Sequence, residues 1–421
     1  MKTKDIISCL KANKAVTGYE IHLSHKESRE LFYVLRHIEI SRAVDTESCS
    51  IDIYVSNKKY TGSSGIVVTA ADDEKSLNRK IKQAVTKAKQ AKNRYYPLAE
   101  KTVNIKEDKP EDLDLNDIAS KVAKAVFKAD TYEEGHISST EILVSRYKRE
   151  FYNSNGIHHT SYRFRIQIEL VPTWKNKKEE YEVYRFYETA KIDYKDIERE
   201  VKEVLLQSKA RAEAKPLAKV KLPKNLPVVI QGEMRNMIAE QLSSEMTYMS
   251  QYTRNNHYAV NDEISRNPFT VTMKPVVKGA IRSSEYDGNG IVLKEKTIIR
   301  KGKACDTYGS LRFGTYLNAE NITGSIPVCT IKADGVDFEN TKHLLIEIFS
   351  SPQLESASGY WGGEVRLAKY YDGKKYIPLS GFSISGSLYD DIKNIRFSKT
   401  KTVDSSYSGP KYFIFDNISI F

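Results

Sequence analysis

The chain has 421 residues, of which 40% are apolar and 29% charged, a composition typical of a globular protein. This length exceeds what one hydrophobic core usually organises, so two domains are expected. The net charge of +11 admits nucleic acid as a partner. The start, Met1 to Asp5, is too polar for the signal peptide of a secreted protein, so none is expected, and no apolar run approaches the ~20 residues of a membrane span. We therefore expect a cytoplasmic α+β protein with no membrane partner.

An internal repeat organises the first half of the chain, with units at about residues 1–100 and 112–218. An offset of 120 residues aligns the helical pattern of residues 77–89 with that of residues 197–209, and Pro-Leu-Ala follows each. Each unit opens with an amphipathic helix and continues into alternating strands, of which Tyr162–Leu170 is the clearest. We therefore expect two similar α/β units whose sheets are joined.

A basic run lies between Arg79 and Arg94, with seven basic residues and no acid. Three acids, at residues 72–74, precede it. Acids at the start and bases at the end of a helix suit the helix dipole. The run is therefore interpreted as a solvated helix, and nucleic acid is not expected as a partner.

A domain boundary is predicted at the proline-containing linker of residues 219–227, giving domains 1–222 and 223–421. After it come a short buried strand, Val228–Ile230, and a helix predicted over Glu233–Met249. Beyond Pro268, strand patterns alternate with glycine turns. The second domain is therefore expected to be mainly antiparallel β with one prominent helix.

The predicted helix has an apolar stripe at helical spacing, which admits two interpretations. The stripe packs on a sheet, with methionine filling gaps, or it is an adaptable surface for a polypeptide or a partner helix. The candidate contact residues on it are Met237, Leu242, Met246 and Met249.

Catalytic motifs are missing from the sequence. None of the eight histidines is followed by glutamate, so a zinc peptidase helix is not present, and neither a nucleophile elbow nor a P-loop occurs. His158 and His159 are adjacent on a strand and point to opposite faces, and Gly288–Gly290 is interpreted as a turn. The four cysteines lie far apart and are expected to be small buried hydrophobes.

Four segments, taken in their order, resemble the TldD/TldE family, also called PmbA or modulator of DNA gyrase. They are Leu226–Ile230, Glu285–Ile291, Ile298–Gly302 and, most specific, Ile377–Gly386. The resemblance covers nearly the whole chain. The active members of this family are zinc peptidases that work as TldD–TldE complexes.

The family's catalytic subunit has His-Glu-x-x-x-His on the helix after the Pro-Val-Val strand, and a cysteine in the loop before the final strands. Here Ala239 and Ser244 occupy the histidine positions, and only Glu240 matches the motif. The loop of residues 402–409 has no cysteine. The resemblance is therefore to TldE, the non-catalytic subunit, and it implies no catalytic residue and no metal ligand in this chain.

The resemblance implies that zinc belongs only to a TldD-like partner, and that this chain joins that homologue, or a second copy of itself, around unfolded or leader-type polypeptides. Tyr360, Trp361, Gly362 and Gly363 are candidate contacts for the polypeptide, with a tight turn around a core aromatic as the alternative. Two other functions stay open. One is a stand-alone nucleic-acid or DNA gyrase-associated binding protein, and the other is a hydrolase using Glu240 or Glu245.

Overall fold

The computed structural model describes residues 1–110, 112–177 and 179–421, and its fold is α+β as predicted. Within these residues, the first half of the chain contains four helices of 10 to 19 residues. Its elements are α1 (Thr3–Ala12), β1 (Gly18–Val34), β2 (His37–Ser56), β3 (Tyr60–Val68), α2 (Glu74–Gln90), β4 (Asn93–Arg94), α3 (Leu115–Ala129), β5 (Gly135–Asn153), β6 (His158–Asn176), β7 (Glu179–Glu182), β8 (Arg185–Thr189), α4 (Tyr194–Ala212) and β9 (Lys215–Pro216).

These strands, apart from β9, form one eight-stranded sheet in the order β4-β3-β2-β1-β5-β6-β7, with β8 also paired to β6. Each repeat unit runs from a helix through strands to a second helix, and β1 pairs antiparallel with β5 where the units meet. The predicted strand Tyr162–Leu170 lies within β6, which a tight turn after Asn153 joins to β5. The two sheets are thus joined into one.

Helix α2 shows how the basic run is accommodated. Asp73 caps the helix, with its side chain accepting a hydrogen bond from the Ser76 backbone N–H. Leu77 and Ile81 face the core, and Lys87 and Lys89 lie in the last turn. The helix is therefore amphipathic, with bases where its dipole favours them.

Helices α1 to α4 cover one face of the sheet. Ile21 and other odd-numbered residues of β1 pack there with α1 and α2, and residues of β5 and β6 pack with α3 and α4. Side chains alternate along a strand, so Glu20 and His22 project from the other face. That face is turned toward the second domain. His159 and Ser161 of β6 bond to Gly290 and Tyr286 there.

The second half of the chain begins with a short strand and a helix and is then mostly strand. Its elements are β10 (Val228–Ile230), α5 (Gly232–Glu245), α6 (Tyr248–Thr253), β11 (Phe269–Lys274), β12 (Lys296–Arg300), β13 (Lys303–Ala304), α7 (Leu311–Tyr316), β14 (Val328–Ala333), β15 (Gly335–Val336), β16 (His343–Phe349), β17 (Gln353–Leu354), β18 (Tyr360–Tyr371), β19 (Tyr376–Ser380), β20 (Phe382–Ser387), α8 (Leu388–Asp391), β21 (Arg396–Ser398), β22 (Lys401–Val403), β23 (Tyr407–Pro410), β24 (Phe413–Phe415) and β25 (Ser419–Ile420), with 3-10 turns at Leu217–Lys219 and Ile392–Asn394.

Two sheets build the second domain. The larger has eleven strands, eight of them along the path β15-β21-β24-β10-β16-β18-β19-β9, with β17 and β20 paired to β18 and β25 paired to β20. The smaller runs β13-β12-β11-β14-β23-β22. Most pairs are antiparallel, and the parallel ones are β10 with β16, β14 with β23, β15 with β21 and β9 with β19. Helix α5 lies in the core that the sheets share.

The linker region is part of the second domain's packing. Strand β9 pairs with β19 of the larger sheet, and Leu217, Val220 and Leu222 pack against that domain's core. No helix in the described part of the chain is both long and apolar enough to cross a membrane.

The helix predicted over Glu233–Met249 is wrong as a single element. It ends at Glu245, and α6 begins at Tyr248. Thr247 caps α6 through a bond from the Ser250 backbone N–H, and the Met246 carbonyl accepts a bond from the Tyr308 backbone N–H. Because these bonds take the backbone out of the helix, Met246 and Met249 lie on different segments.

Candidate functional site

A cavity of about 220 Å³ opens beside α5. Its walls come from α5, from the segment around Tyr308, from the start of β14 and from the loop between β22 and β23. The lining residues are Asn236, Ala239, Glu240, Ser243, Ser244, Thr247, Met273, Tyr308, Ile326, Pro327, Cys329, Ser406 and Tyr407.

The cavity brings together the positions that correspond to the family's zinc motif. Ala239, Glu240 and Ser244 of α5 all line it, and Ser406 enters from the loop where the resemblance places a cysteine. Ser406 and the α5 residues, which are about 165 positions apart in the sequence, therefore lie at the same cavity. The helix and the loop that the resemblance singles out thus lie at one cavity.

The side chains present do not fit a zinc ion. Ala239 has no donor atom, and the Ser244 hydroxyl donates to the Gln241 carbonyl at 2.9 Å. The only thiol among the lining residues is Cys329, and burial raises the pKa of that thiol to about 12. Zinc prefers thiolate, imidazole and carboxylate ligands, and here a neutral thiol and the single carboxylate of Glu240 remain.

A buried arginine fastens the loop to the helix. Arg235 of α5 is 2% exposed, pairs with Asp404 and donates to the Lys411 carbonyl at 3.1 Å. Its guanidinium lies 4.6 Å from the centre of the Tyr407 ring. Burial lowers the pKa of Arg235 to about 10, which leaves it charged at neutral pH. These contacts hold the loop before β23 against α5 and so position one wall of the cavity.

Glu245, the other carboxylate considered for catalysis, is a structural residue. It is 2% exposed and accepts hydrogen bonds from Gln241 Nε2 at 2.7 Å and from the Tyr389 hydroxyl at 2.8 Å. The backbone N–H of His257 also donates to it. With its oxygens occupied in this way, Glu245 closes the end of α5 and does not face a substrate.

The four apolar candidates on this helix separate into core and surface. Leu242 and Met246 are buried in the main core, so they cannot contact a partner. Met237 is half-buried, and Met249 is 54% exposed on α6. The packing interpretation therefore holds for the middle of the stripe, and Met249 is its accessible member.

Trp361 is wholly buried, which contradicts its prediction as an exposed contact and favours the core-aromatic alternative. Its indole Nε1 donates to Asp391 at 2.8 Å. Gly362 and Gly363 pair with β20 within the sheet. Glycine allows close strand packing here, because a Cβ on Gly362 would lie 2.1 Å from the Ile384 carbonyl oxygen. Tyr360, at 39% exposure, is the accessible side chain of the four.

The adjacent histidines have separate surroundings, as the strand geometry predicted. His159 is buried, with Nδ1 accepting from the Ile105 backbone N–H and Nε2 against the Gly290 carbonyl, both at 2.9 Å. His158 is exposed and stacks on Tyr152. They share no ion.

A larger cleft of about 620 Å³ lies between the first domain's sheet and the second domain, and Pro327 lines both it and the cavity. Arg149, Arg163 and Arg165 reach it from β5 and β6, and Arg282 from the opposite wall. Sequence reasoning missed this cleft. Its walls are more than 100 residues apart in the chain, and no local pattern marks them.

Residues 223–420 match the family described as PmbA/TldA metallopeptidase C-terminal domain. Residues 223–420 therefore form a C-terminal domain of the TldD/TldE/PmbA family, in agreement with the sequence resemblance. No curated protein matches the chain in sequence.

The whole fold is similar to that of TldE from Thermococcus kodakarensis, with a TM-score of 0.82, 15% identity and 99% coverage of both chains. A modulator of DNA gyrase from Bacteroides thetaiotaomicron, so named provisionally, gives a TM-score of 0.79 and 15% identity over 99% of this chain and 97% of that one. A similarly named protein from Thermotoga maritima gives 0.77 and 12% over 99% and 100%. At these identities the likeness shows a shared fold.

Proposed function

We propose that the chain is a non-catalytic, TldE-like subunit that completes a zinc peptidase formed by a TldD-like homologue. The observation that supports this most is the cavity beside α5, which keeps Glu240 and the fixed loop but offers Ala239, Ser244 and Ser406 where metal ligands are expected. Without a metal, Glu240 has no activated water to deprotonate. The chain then contributes surfaces, and its partner contributes the zinc.

The substrate is an extended polypeptide, unfolded or of leader type. The cleft of about 620 Å³ adjoins the cavity at Pro327 and offers room for a chain to approach it. Strand β22 is at the edge of the smaller sheet and leads directly into the loop that ends at Ser406. An open strand edge binds an extended peptide through main-chain hydrogen bonds.

The partner contact includes the surface of α6. Met249 and Tyr252 are 54% and 42% exposed there, and the Tyr252 ring packs against Tyr316 of α7 at 5.1 Å between centroids. Methionine and tyrosine are enriched in interface cores. An exposed patch of this kind is suited to a homologue or to a second copy of the chain.

The test is to express the chain with and without a motif-bearing homologue, and to follow co-elution and peptide hydrolysis. We expect hydrolysis only in the mixture. Met249→Asp should abolish co-elution, because it places a charge in the contact. Val67→Asp, at a 60% exposed position of the first domain, is the matched control and should change nothing. A homologue that is fully active alone and ignores this chain would refute the proposal.

A stand-alone nucleic-acid-binding protein is the second candidate, favoured by the +11 charge and the arginines at the cleft. Two of those arginines are already paired, Arg163 with Glu107 at 2.7 Å and Arg165 with Glu188 at 3.7 Å. Binding to duplex DNA that weakens steeply with salt would support this candidate. Co-elution that persists as salt increases would favour the subunit.

A further inference from the structure

Three titratable side chains meet on the face of the first sheet that is turned toward the second domain. Glu20 and Asp52 are directly opposite one another across β1 and β2, and His22 is two residues along β1 on the same face. One donor atom from each of the three lies within 4.8 Å of the others. Nε2 of His22 is 3.8 Å from Oδ2 of Asp52.

Glu20 is buried with half of its hydrogen-bonding capacity unused. The residue is 1% exposed, and its Oε2 accepts from the Tyr54 hydroxyl at 2.8 Å and from Asn289 Nδ2 at 3.1 Å. Its Oε1 is buried with no hydrogen-bond partner among the residues that the structure describes. Burying a carboxyl oxygen without a hydrogen-bond partner costs folding free energy, and a bound cation can satisfy such an oxygen.

The surroundings leave access and hold the donors in place. The side chains of His22 and Asp52 are 36% and 46% exposed, and His22 lines the cleft. The His22 ring packs against Phe151 at 5.2 Å between centroids. Tyr54 and Asn289 orient the Glu20 carboxyl group, in the way that outer residues support metal ligands in proteins.

We propose that Glu20, His22 and Asp52 form a binding site for a divalent transition-metal ion, Zn²⁺ or Mn²⁺. One imidazole and two carboxylates are the mixed nitrogen and oxygen donors that these ions accept. Three protein ligands leave further positions for water from the cleft. Because Asn289 belongs to the second domain, the bound ion also supports the contact between the domains.

The site is separate from the cavity beside α5 and does not depend on the subunit proposal. It departs from the expectation that the chain itself has no metal ligand. The signal in the sequence is slight, since Glu20 and His22 are simply the polar positions of an alternating strand, and Asp52 is 32 residues further along.

The test is equilibrium dialysis of the full-length chain, stripped by a chelator, against Zn²⁺ or Mn²⁺. We expect one ion per chain, with affinity reduced by more than about 100-fold in Glu20→Gln, His22→Ala and Asp52→Asn, and by about 10- to 100-fold in Tyr54→Phe. Glu240→Gln should bind as the unaltered chain does, because the α5 cavity is not involved.

A matched control exists on the same hairpin. His25 and Asp45 form a pair at 2.7 Å that lacks a third ligand, so His25→Ala and Asp45→Asn should leave binding unchanged. Absence of a bound ion in the unaltered chain, or an ion retained by the Glu20 and His22 variants, would overturn the proposal. Glu20→Gln keeps the shape of the side chain and decides the matter if His22→Ala fails to fold by circular dichroism.

Discussion

The second domain and the first domain present opposite relations between sequence and site. Around α5, the sequence points to the place, yet the side chains found there, Ala239 and Ser244 among them, offer no metal ligand. On the β1–β2 hairpin, the sequence gives no motif, yet Glu20, His22 and Asp52 meet with donor atoms in reach of one another. The cavity beside α5 thus keeps its place in the fold although the metal-binding side chains are absent.

The difference also concerns what buried polar groups do. Glu245 is buried and satisfied by Gln241 and Tyr389, so it stabilises the fold. Glu20 is equally buried but has an oxygen without a partner in the described residues. Burial alone therefore does not distinguish a structural carboxylate from a candidate ligand, whereas the count of its hydrogen bonds does.

The largest effect expected in the second domain is from Trp361→Ala. Removing a wholly buried indole should lower the free energy of unfolding by about 4 kcal/mol. Tyr360→Ala, at its exposed neighbour, should change it by less than about 1 kcal/mol. Urea unfolding of both variants measures this. If both variants lose the same small amount of unfolding free energy, Trp361 is not a core residue and is again a candidate contact. That result would weaken the contrast between the domains.

A smaller effect is expected from the two carboxylates of α5. Glu245→Gln should cost about 2 kcal/mol, because an amide N–H₂ replaces an acceptor that receives the His257 backbone N–H. Glu240→Gln, at an exposed position of the same helix, should stay within about 0.5 kcal/mol. Thermal or urea unfolding distinguishes them. A large loss for Glu240 instead would mean that it, too, is a structural residue.

Local patterns predicted much of the fold. The alternation of Tyr162–Leu170 identified the core of β6, and the charge polarity around α2 identified a solvated helix. The repeat predicted that two sheets join, and they do so where β1 pairs with β5. Each of these features depends on neighbours close in the chain, which is why the sequence shows them.

Other features depend on distant contacts and were missed or misplaced. The helix break at Thr247 depends on Tyr308, about 60 residues away. The burial of Trp361 depends on Asp391 and on the sheet that surrounds it. Asn289 reaches Glu20 across 269 residues. Tertiary contacts of this length leave no periodic signal in the sequence.

The central claim is that the α5 cavity keeps the geometry of a family metal site without its ligands. Restoring the ligands tests it most directly, in a Glu20→Gln background that removes the hairpin cluster from the measurement. We expect the triple variant Ala239→His, Ser244→His and Ser406→Cys to gain one zinc ion per chain by elemental analysis.

The control for this gain is Glu74→His with Arg79→His, the same five-residue spacing on exposed positions of α2, which should gain none. Ser244→His with Ser406→Cys leaves the buried Ala239 in place and serves as the second variant if the triple variant is unstable. One zinc ion in the restored cavity and none in the control is the result that we predict. A folded restored variant that gains no zinc would contradict the claim.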